Sequence, residues 1–170
     1  MKKKGKYISN KKLYAAMIDH KLILEKSITD GVDKPRIKDY IGECIVLICS
    51  NLAKKPNFSN YSYKDEFISD AIIDCISAVD NFDPLKTNNP FAYFTQIAWN
   101  AFVRRIHKEH KQTYIKHKNY EQMFIMNDFY DDTENIRQKN NDISNEIIKS
   151  FENKIIKLKK IEKKIGLDNI

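Results

Sequence analysis

The chain has 170 residues, a formal net charge of +7 and a pI near 9.1. It holds no apolar run long enough to span a membrane, and Met1-Lys2-Lys3-Lys4 lacks the apolar stretch of a secretory signal. Only four Gly and four Pro are present, too few for a fold rich in tight turns, so the expectation is a single all-α domain with appendages.

Residues 1–8 read as a basic tail. Ser9 or Asn10 caps a helix running to about Ile28, with Leu13, Met17, Ile18, Leu24 and Ile28 on its apolar side. Thr29-Asp30-Gly31 is a turn, and Pro35 leads into the next element. Residues 36–54 form an apolar helix around Ile41, Ile45, Leu47, Ile48 and Leu52, the candidate centre of the core. Lys54-Lys55-Pro56-Asn57 ends it, and Phe58 to Tyr63 is an aromatic connection. Cys44, Cys49 and Cys75 occupy apolar helical positions without metal-ligand spacing, so they read as reduced core residues of a cytoplasmic protein.

The most informative stretch runs from Glu66 to Lys111. A helix over 66–81 carries Phe67, Ile68, Ala71, Cys75, Ala78, Val79 and Phe82 at helical spacing, with Ser62 and Asp65 as a capping start. Its other face holds Glu66, Ser69, Asp70, Asp74, Ser77 and Asp80, with Ile73 in the middle and Ile72 and Ile76 along the edge. An exposed acidic face is usually just solvated; apolar residues set among its carboxylates add the reading of a binding surface. A second helix starts with Asn89 as cap and Pro90 at its first position. Phe91, Phe94, Ala98, Ala101, Phe102 and Ile106 form its stripe, and Tyr93, Gln96, Asn100, Arg104, His107 and Lys111 lie opposite. Asn, Gln and Arg suit base edges, Lys and Arg suit phosphate, and aromatic rings stack on bases. Charge reverses between the two helices. Asp65 to Leu85 holds six carboxylates and no Lys or Arg, whereas Arg104 to Lys118 holds six Lys or Arg, three His and one Glu.

After Lys118 the chain turns polar. Residues 128–146 carry six acidic and two basic residues, which reads as a linker within 119–144. Residues 145–170 regain a helical pattern with Ile148, Phe151, Ile155, Leu158 and Ile165, and seven Lys fall between Lys149 and Lys164. Such an amphipathic helix must dock on the domain or on another protein. No Gly-rich phosphate loop or catalytic constellation is visible. His107, His110 and His117 are poor metal ligands beside Arg104, Arg105, Lys108 and Lys111, whose charge favours phosphate instead. No catalytic residue, metal or cofactor is assigned, and no enzyme activity is expected.

Glu66 to Asp83, including the Ala78-Val79…Phe82-Asp83 ending, resembles region 2 of bacterial sigma factors, as does its distance to Tyr93-Phe94-Thr95. Asn89-Pro90-Phe91-Ala92-Tyr93-Phe94-Thr95-Gln96, Asn100-Ala101-Phe102-Val103-Arg104-Arg105-Ile106 and Lys55-Pro56-Asn57-Phe58-Ser59 resemble the late-transcription sigma factors of T-even-type bacteriophages. The resemblance spans about Tyr7 to His117. It implies a compact helical sigma region 2-like domain over 9–118, with the first two helices packed behind the 66–81 and 90–111 pair. It also implies that Glu66, Ser69, Asp70, Ile72 and Ile76 bind the coiled coil of the largest subunit of core bacterial RNA polymerase. Ile73 and Asp74 join this set from the pattern of the face. Tyr93, Gln96, Ile97, Asn100 and Arg104 match positions that read and open an AT-rich −10-like promoter element. Trp99, Arg105, His107, Lys108 and Lys111 complete the expected DNA set.

Primary sigma factors carry two Trp at the positions of Gln96 and Ile97, so Tyr93 is the residue expected to stack on a base here, with Trp99 either flanking it or belonging to the core. No helix-turn-helix for a −35 element follows, as in the phage late family. In that family the C-terminal segment binds the flap of the second-largest polymerase subunit and the end binds the phage sliding clamp. Leu167, Asp168 and Ile170 are the clamp residues this implies, without the aromatic that usually follows Leu-Asp. A late coactivator is a further implied partner, and the place of action is the cytoplasm of an infected bacterium. The alternative reading is a free-standing DNA-binding transcription regulator, and a third is a nucleic-acid-processing enzyme.

Overall fold

The computed structural model describes residues 7–126 and 134–165, and the side-chain surroundings of 7–123 and 142–157. Among the described residues there are six helices and no strand: α1 (Asn10–Thr29), α2 (Asp39–Leu52), α3 (Pro56–Ser59), α4 (Lys64–Ser77), α5 (Pro90–Met126) and α6 (Glu134–Ile165). The all-α expectation holds. The chain divides into two compact units, Met1–Arg105 and Ile106–Ile170. The division falls inside α5, not at residue 118.

In the first unit α2 packs against α1 and α4. Ile41, Cys44, Ile45, Ile48, Cys49 and Leu52 are buried along α2 at the spacing of one wide helix face. Leu13, Met17, His20 and Leu24 are the buried residues of α1. Gly31 ends that helix with a left-handed φ of 64°, and the amides of Gly31 and Val32 donate back to Ile28 O and Ser27 O. This pair of bonds satisfies carbonyls that the helix end would otherwise orphan, and it requires a residue free of Cβ strain. The second helix begins three residues later than the expected position 36. Pro35 disfavours helical backbone at Lys34, and Lys34 is used elsewhere, as an ion-pair partner of Asp80.

The expected aromatic connection is in part a single helical turn. Pro56 occupies the first turn of α3, where its missing N–H costs nothing, and the turn drives Phe58 inward to 2% exposure. Its ring meets Phe67 edge-on at 6.2 Å, Trp99 at 4.9 Å and Phe102 at 4.9 Å. Phe67 and Phe102 stack at 5.2 Å. Nearby, Cys75 donates its thiol to Phe94 O. A hydrogen bond with Cys49, reinforced by burial, pushes the Cys75 thiol up. None of the three cysteines forms a disulfide and all are buried; the Cys75 thiol, buried and raised in pKa, is inert.

Ser62 does not cap α4; Tyr63 stands at the cap position, without a side-chain cap bond. The helix also stops at Ser77 rather than at 81. Beyond it Val79 and Phe82 turn into the core, and Asp80 accepts from His20 Nε2 at 2.9 Å while its carbonyl accepts from Lys21. His20 is 2% exposed and Asp80 is half-buried, and their part-buried contact ties α1 to the turn after α4. Helix α5 opens with every early donor accounted for. Pro90 has none, Phe91 N donates to Asn10 Oδ1 at 3.2 Å, Ala92 N to Asn89 Oδ1 at 3.0 Å, and Tyr93 N to Asn89 O at 3.2 Å. Asn89 thus acts as the expected cap. The side chain of Asn10 caps α5 rather than its own helix, and Ser9 makes no side-chain cap bond at the start of α1.

In the second unit α5 continues to Met126 and meets α6, which begins at Glu134. The expected linker over 119–144 is therefore helical at both ends. Tyr114 stacks on Phe151 at 4.7 Å and donates its hydroxyl to Glu152, while His117 Nδ1 and Ser144 Oγ lie 2.9 Å apart. Rising numbers on α5 meet falling numbers on α6, so the helices are antiparallel. Of the α6 stripe, Ile148 is buried and Phe151 is half-buried against Tyr114, whereas Ile155 is exposed.

Burial works to raise the Asp80 carboxyl, but Lys34 and His20 outweigh it and hold its pKa below the usual carboxylate value. A lowered carboxylate pKa contributes stability above the unfolded-state pKa and loses it as pH falls through the folded value. Asp80→Asn should therefore cost about 1–3 kcal/mol near neutral pH. The gap between variant and wild type in urea unfolding should narrow as pH falls below about 4. A gap independent of pH would mean that the carboxylate charge is not what matters.

Candidate nucleic-acid interface and the acidic helix beside it

The acidic face of α4 divides in two. Glu66 and Ser69 are exposed, Ile73 is 62% and Ile76 43% exposed, and Ile72 is half-buried. Ser69 Oγ donates to Asp65 O within the helix. Asp70 and Asp74, by contrast, turn toward α5. Asp70 pairs with Arg105 Nη1 at 3.2 Å, and Asp74 pairs with Arg104 Nη2. The charge reversal in the sequence thus serves, for these four residues, as cross-helix pairing inside the first unit. Arg104 remains 65% exposed, whereas Arg105 is 21% exposed.

The polar face of α5 within the first unit also divides. Gln96, Asn100 and Arg104 are exposed and follow at intervals of four residues, one stripe along the helix. Gln96 Nε2 donates to Asn100 Oδ1 at 3.1 Å, which aligns two amides able to present donors and acceptors to base edges. Tyr93 is placed differently. Its hydroxyl donates to Ala78 O at 3.1 Å, its ring packs on Phe82 and Phe94, and burial pushes its phenol up. Ile97 is half-buried, and Trp99 is half-buried against Phe58. Base stacking by Tyr93 or Trp99 would require each ring to leave these neighbours.

His107, Lys108 and Lys111 are exposed on the part of α5 that belongs to the second unit. Among the described residues no group of three His, Cys, Asp or Glu gathers as a metal site, and no helix is long and apolar enough to cross a membrane. Leu167, Asp168 and Ile170 lie outside the described residues. The pattern of the sequence did not single out Asn10 or Phe58, the two residues that set the direction and seating of α5. Asn10 was weighed only as a cap for its own helix, and a lone Phe in a short connection has no periodicity to announce it.

Comparison with models of known protein families finds no match, and comparison with curated proteins finds none.

Exposed ion pairs contribute about 0.2–1 kcal/mol, because water screens them and ordering two long side chains costs entropy. A double-mutant cycle on Asp74→Asn and Arg104→Gln, read by urea unfolding, should return a coupling in that range. A coupling above about 2 kcal/mol would mark the pair as a structural clasp rather than a surface contact.

Proposed function

We propose that this chain is a sigma-type initiation subunit that binds core bacterial RNA polymerase and directs it to AT-rich −10-like elements of phage late promoters. The observation that carries the reading is the exposure of two residue sets on helices seated in one core. Glu66, Ser69, Ile73 and Ile76 project from α4, and Gln96, Asn100 and Arg104 from α5. Most of these match, in the sequence resemblance, the positions that meet polymerase and promoter; Ile73 joins from the pattern of its face. Ile73 and Ile76 supply apolar area to be desolvated by a partner, and the nearby carboxylates favour a basic one. On α5 the amide of Asn100 suits an adenine edge and Arg104 suits a phosphate or a guanine. Engaging DNA exchanges the Gln96–Asn100 bond for bonds to bases, and the Asp74–Arg104 pair for a bond to phosphate. In this reading α6 is the flap-binding segment, and the clamp and coactivator act through the chain's end. The protein carries no catalytic group of its own and works in the bacterial cytoplasm.

Run-off transcription by core polymerase, with and without the chain, on a template bearing an AT-rich −10-like element is the direct test. Promoter-dependent transcripts that require the chain are the expected result. A chain that binds the duplex alone and neither co-purifies with core polymerase nor changes transcript start sites is a regulator of the alternative kind. Ile73→Glu is the sharper surface variant, because Asp70 substitutions would also break the Arg105 pair. It should weaken core binding by about tenfold or more while leaving helicity and melting unchanged. Asn100→Ala should relax preference at one or two base pairs and cost about 1–3 kcal/mol at the preferred site. An equal loss on every single-base promoter variant would make Asn100 a positioning residue.

A further inference from the structure

Between the two helices of the second unit lies a groove of about 410 Å³, within the size range of small-ligand sites. Its floor is apolar, built from Ile147 and Phe151, and Phe151 is backed by the stacked ring of Tyr114. Its rim is polar, with His110 and Thr113 from α5 and Ser150 and Lys154 from α6. Lys154 and Ser150 are four residues apart on α6 and share one face. Glu146, the acidic member of the lining, stands eight residues before Lys154. That is about 12 Å along the helix axis, so the groove has a cationic end and an acidic end.

The ring of His110 is held at the cationic end. Burial lowers its pKa, and the charges of Lys154 and His107 lower it further. Positive charge is thus crowded at one end of an aromatic-floored groove. An apolar floor accepts the face of an unpaired base, and a cationic rim accepts the phosphate beside it. A base inside a duplex is already stacked on its neighbours and cannot lie on that floor.

We propose that the α5–α6 groove binds a nucleotide unit of single-stranded nucleic acid, with the base over Phe151 and Ile147 and a phosphate at Lys154 and His110. Ser150 offers a hydroxyl to the same phosphate or sugar, while Thr113, whose hydroxyl donates to Glu109 O at 2.9 Å, lines the groove. A bound phosphate favours the protonated His110 ring against the repulsion of Lys154, His107 and Lys111, while Glu146 and Glu109 act in the same sense as the phosphate. Strand binding therefore takes up a proton and tightens as pH falls through the His110 range. Ile147, Ser150, Phe151 and Lys154 lie on α6, the segment that the sigma reading gives to the polymerase flap, but the site is argued from the groove alone and does not rest on that reading.

The test uses the full chain without polymerase or promoter and reads the anisotropy of a fluorescein-labelled oligothymidylate. Lys154→Glu removes the cation and Ser150→Trp fills the groove. Each should weaken binding about fivefold or more with wild-type helicity. His110→Gln should flatten the rise in affinity that the wild type displays as pH falls from about 7 to about 5, a window that reaches below the ordinary histidine value because the free ring is held below it. Thymidine monophosphate should displace the strand at lower concentration than inorganic phosphate does. Wild-type binding by both Lys154→Glu and Ser150→Trp overturns the proposal. Equal displacement by thymidine monophosphate and inorganic phosphate overturns it too, because the groove would then hold an anion and no base. A duplex bound as tightly as the single strand, with the same loss in both variants, overturns it in favour of backbone binding alone.

Discussion

The ring of Phe58, carried inward by the single turn of α3, meets Phe67 of α4 and both Trp99 and Phe102 of α5. Edge-to-face contacts hold rings at defined angles as well as distances, so this one residue limits rotation of both helices about their axes. Once Phe67 and Phe102 point inward, helical geometry sends Ile76 and Asn100 to the far sides of their helices. The exposure of the candidate surfaces thus depends on a side chain that belongs to neither helix. Interiors packed at crystal-like density transmit such constraints with little slack.

Electrostatics adds orientation more than stability. Asp70 and Asp74 lie one turn apart on α4, while Arg104 and Arg105 are consecutive on α5. The two pairs therefore link the helices at neighbouring points, next to the aromatic cluster. The exposure of Arg104 keeps the contribution of its pair with Asp74 small, whereas the Asp70–Arg105 pair is part-buried. The contact between buried His20 and part-buried Asp80 is of another kind, since a buried His20 deprived of its partner costs more than the bond itself contributes. It fixes where α4 ends, because the chain must turn to present Asp80 to α1.

Helix existence and type were legible wherever apolar periodicity was strong. The α1 stripe from Leu13 to Leu24, the dense face of α2 and the run from Phe94 to Phe102 all folded as their spacing indicated. The boundaries were less legible, since the start of α2 is decided by Pro35 and the end of α4 by a partner sixty residues away in sequence. The segment from 134 to 144 was read as a linker from its Asn and Asp content, although it is helical. Its apolar residues are few, and Ile136 and Ile143 carry too weak a signal to outweigh that composition. On the candidate surfaces the residue types were legible and the pairings were not. Facing carboxylates and guanidinium groups on different helices look, in one dimension, like two separate surfaces, and the hydroxyl of Tyr93 gives no hint that its acceptor is Ala78.

The bond from Phe91 N to Asn10 Oδ1 joins residues 81 positions apart. Closing so long a loop costs entropy that grows with the logarithm of its length, and the contact returns nothing until the intervening helices have collapsed. The first turn of α5 therefore acquires its full set of acceptors only at the end of folding, after α2 and α4 have met. In the native state, release of one exposed asparagine leaves the Phe91 amide to water while the aromatic cluster stays shut. Tyr93, two residues further on, does not share that freedom, because its hydroxyl bond to Ala78 O and its contacts with Phe82 and Phe94 hold it to the core.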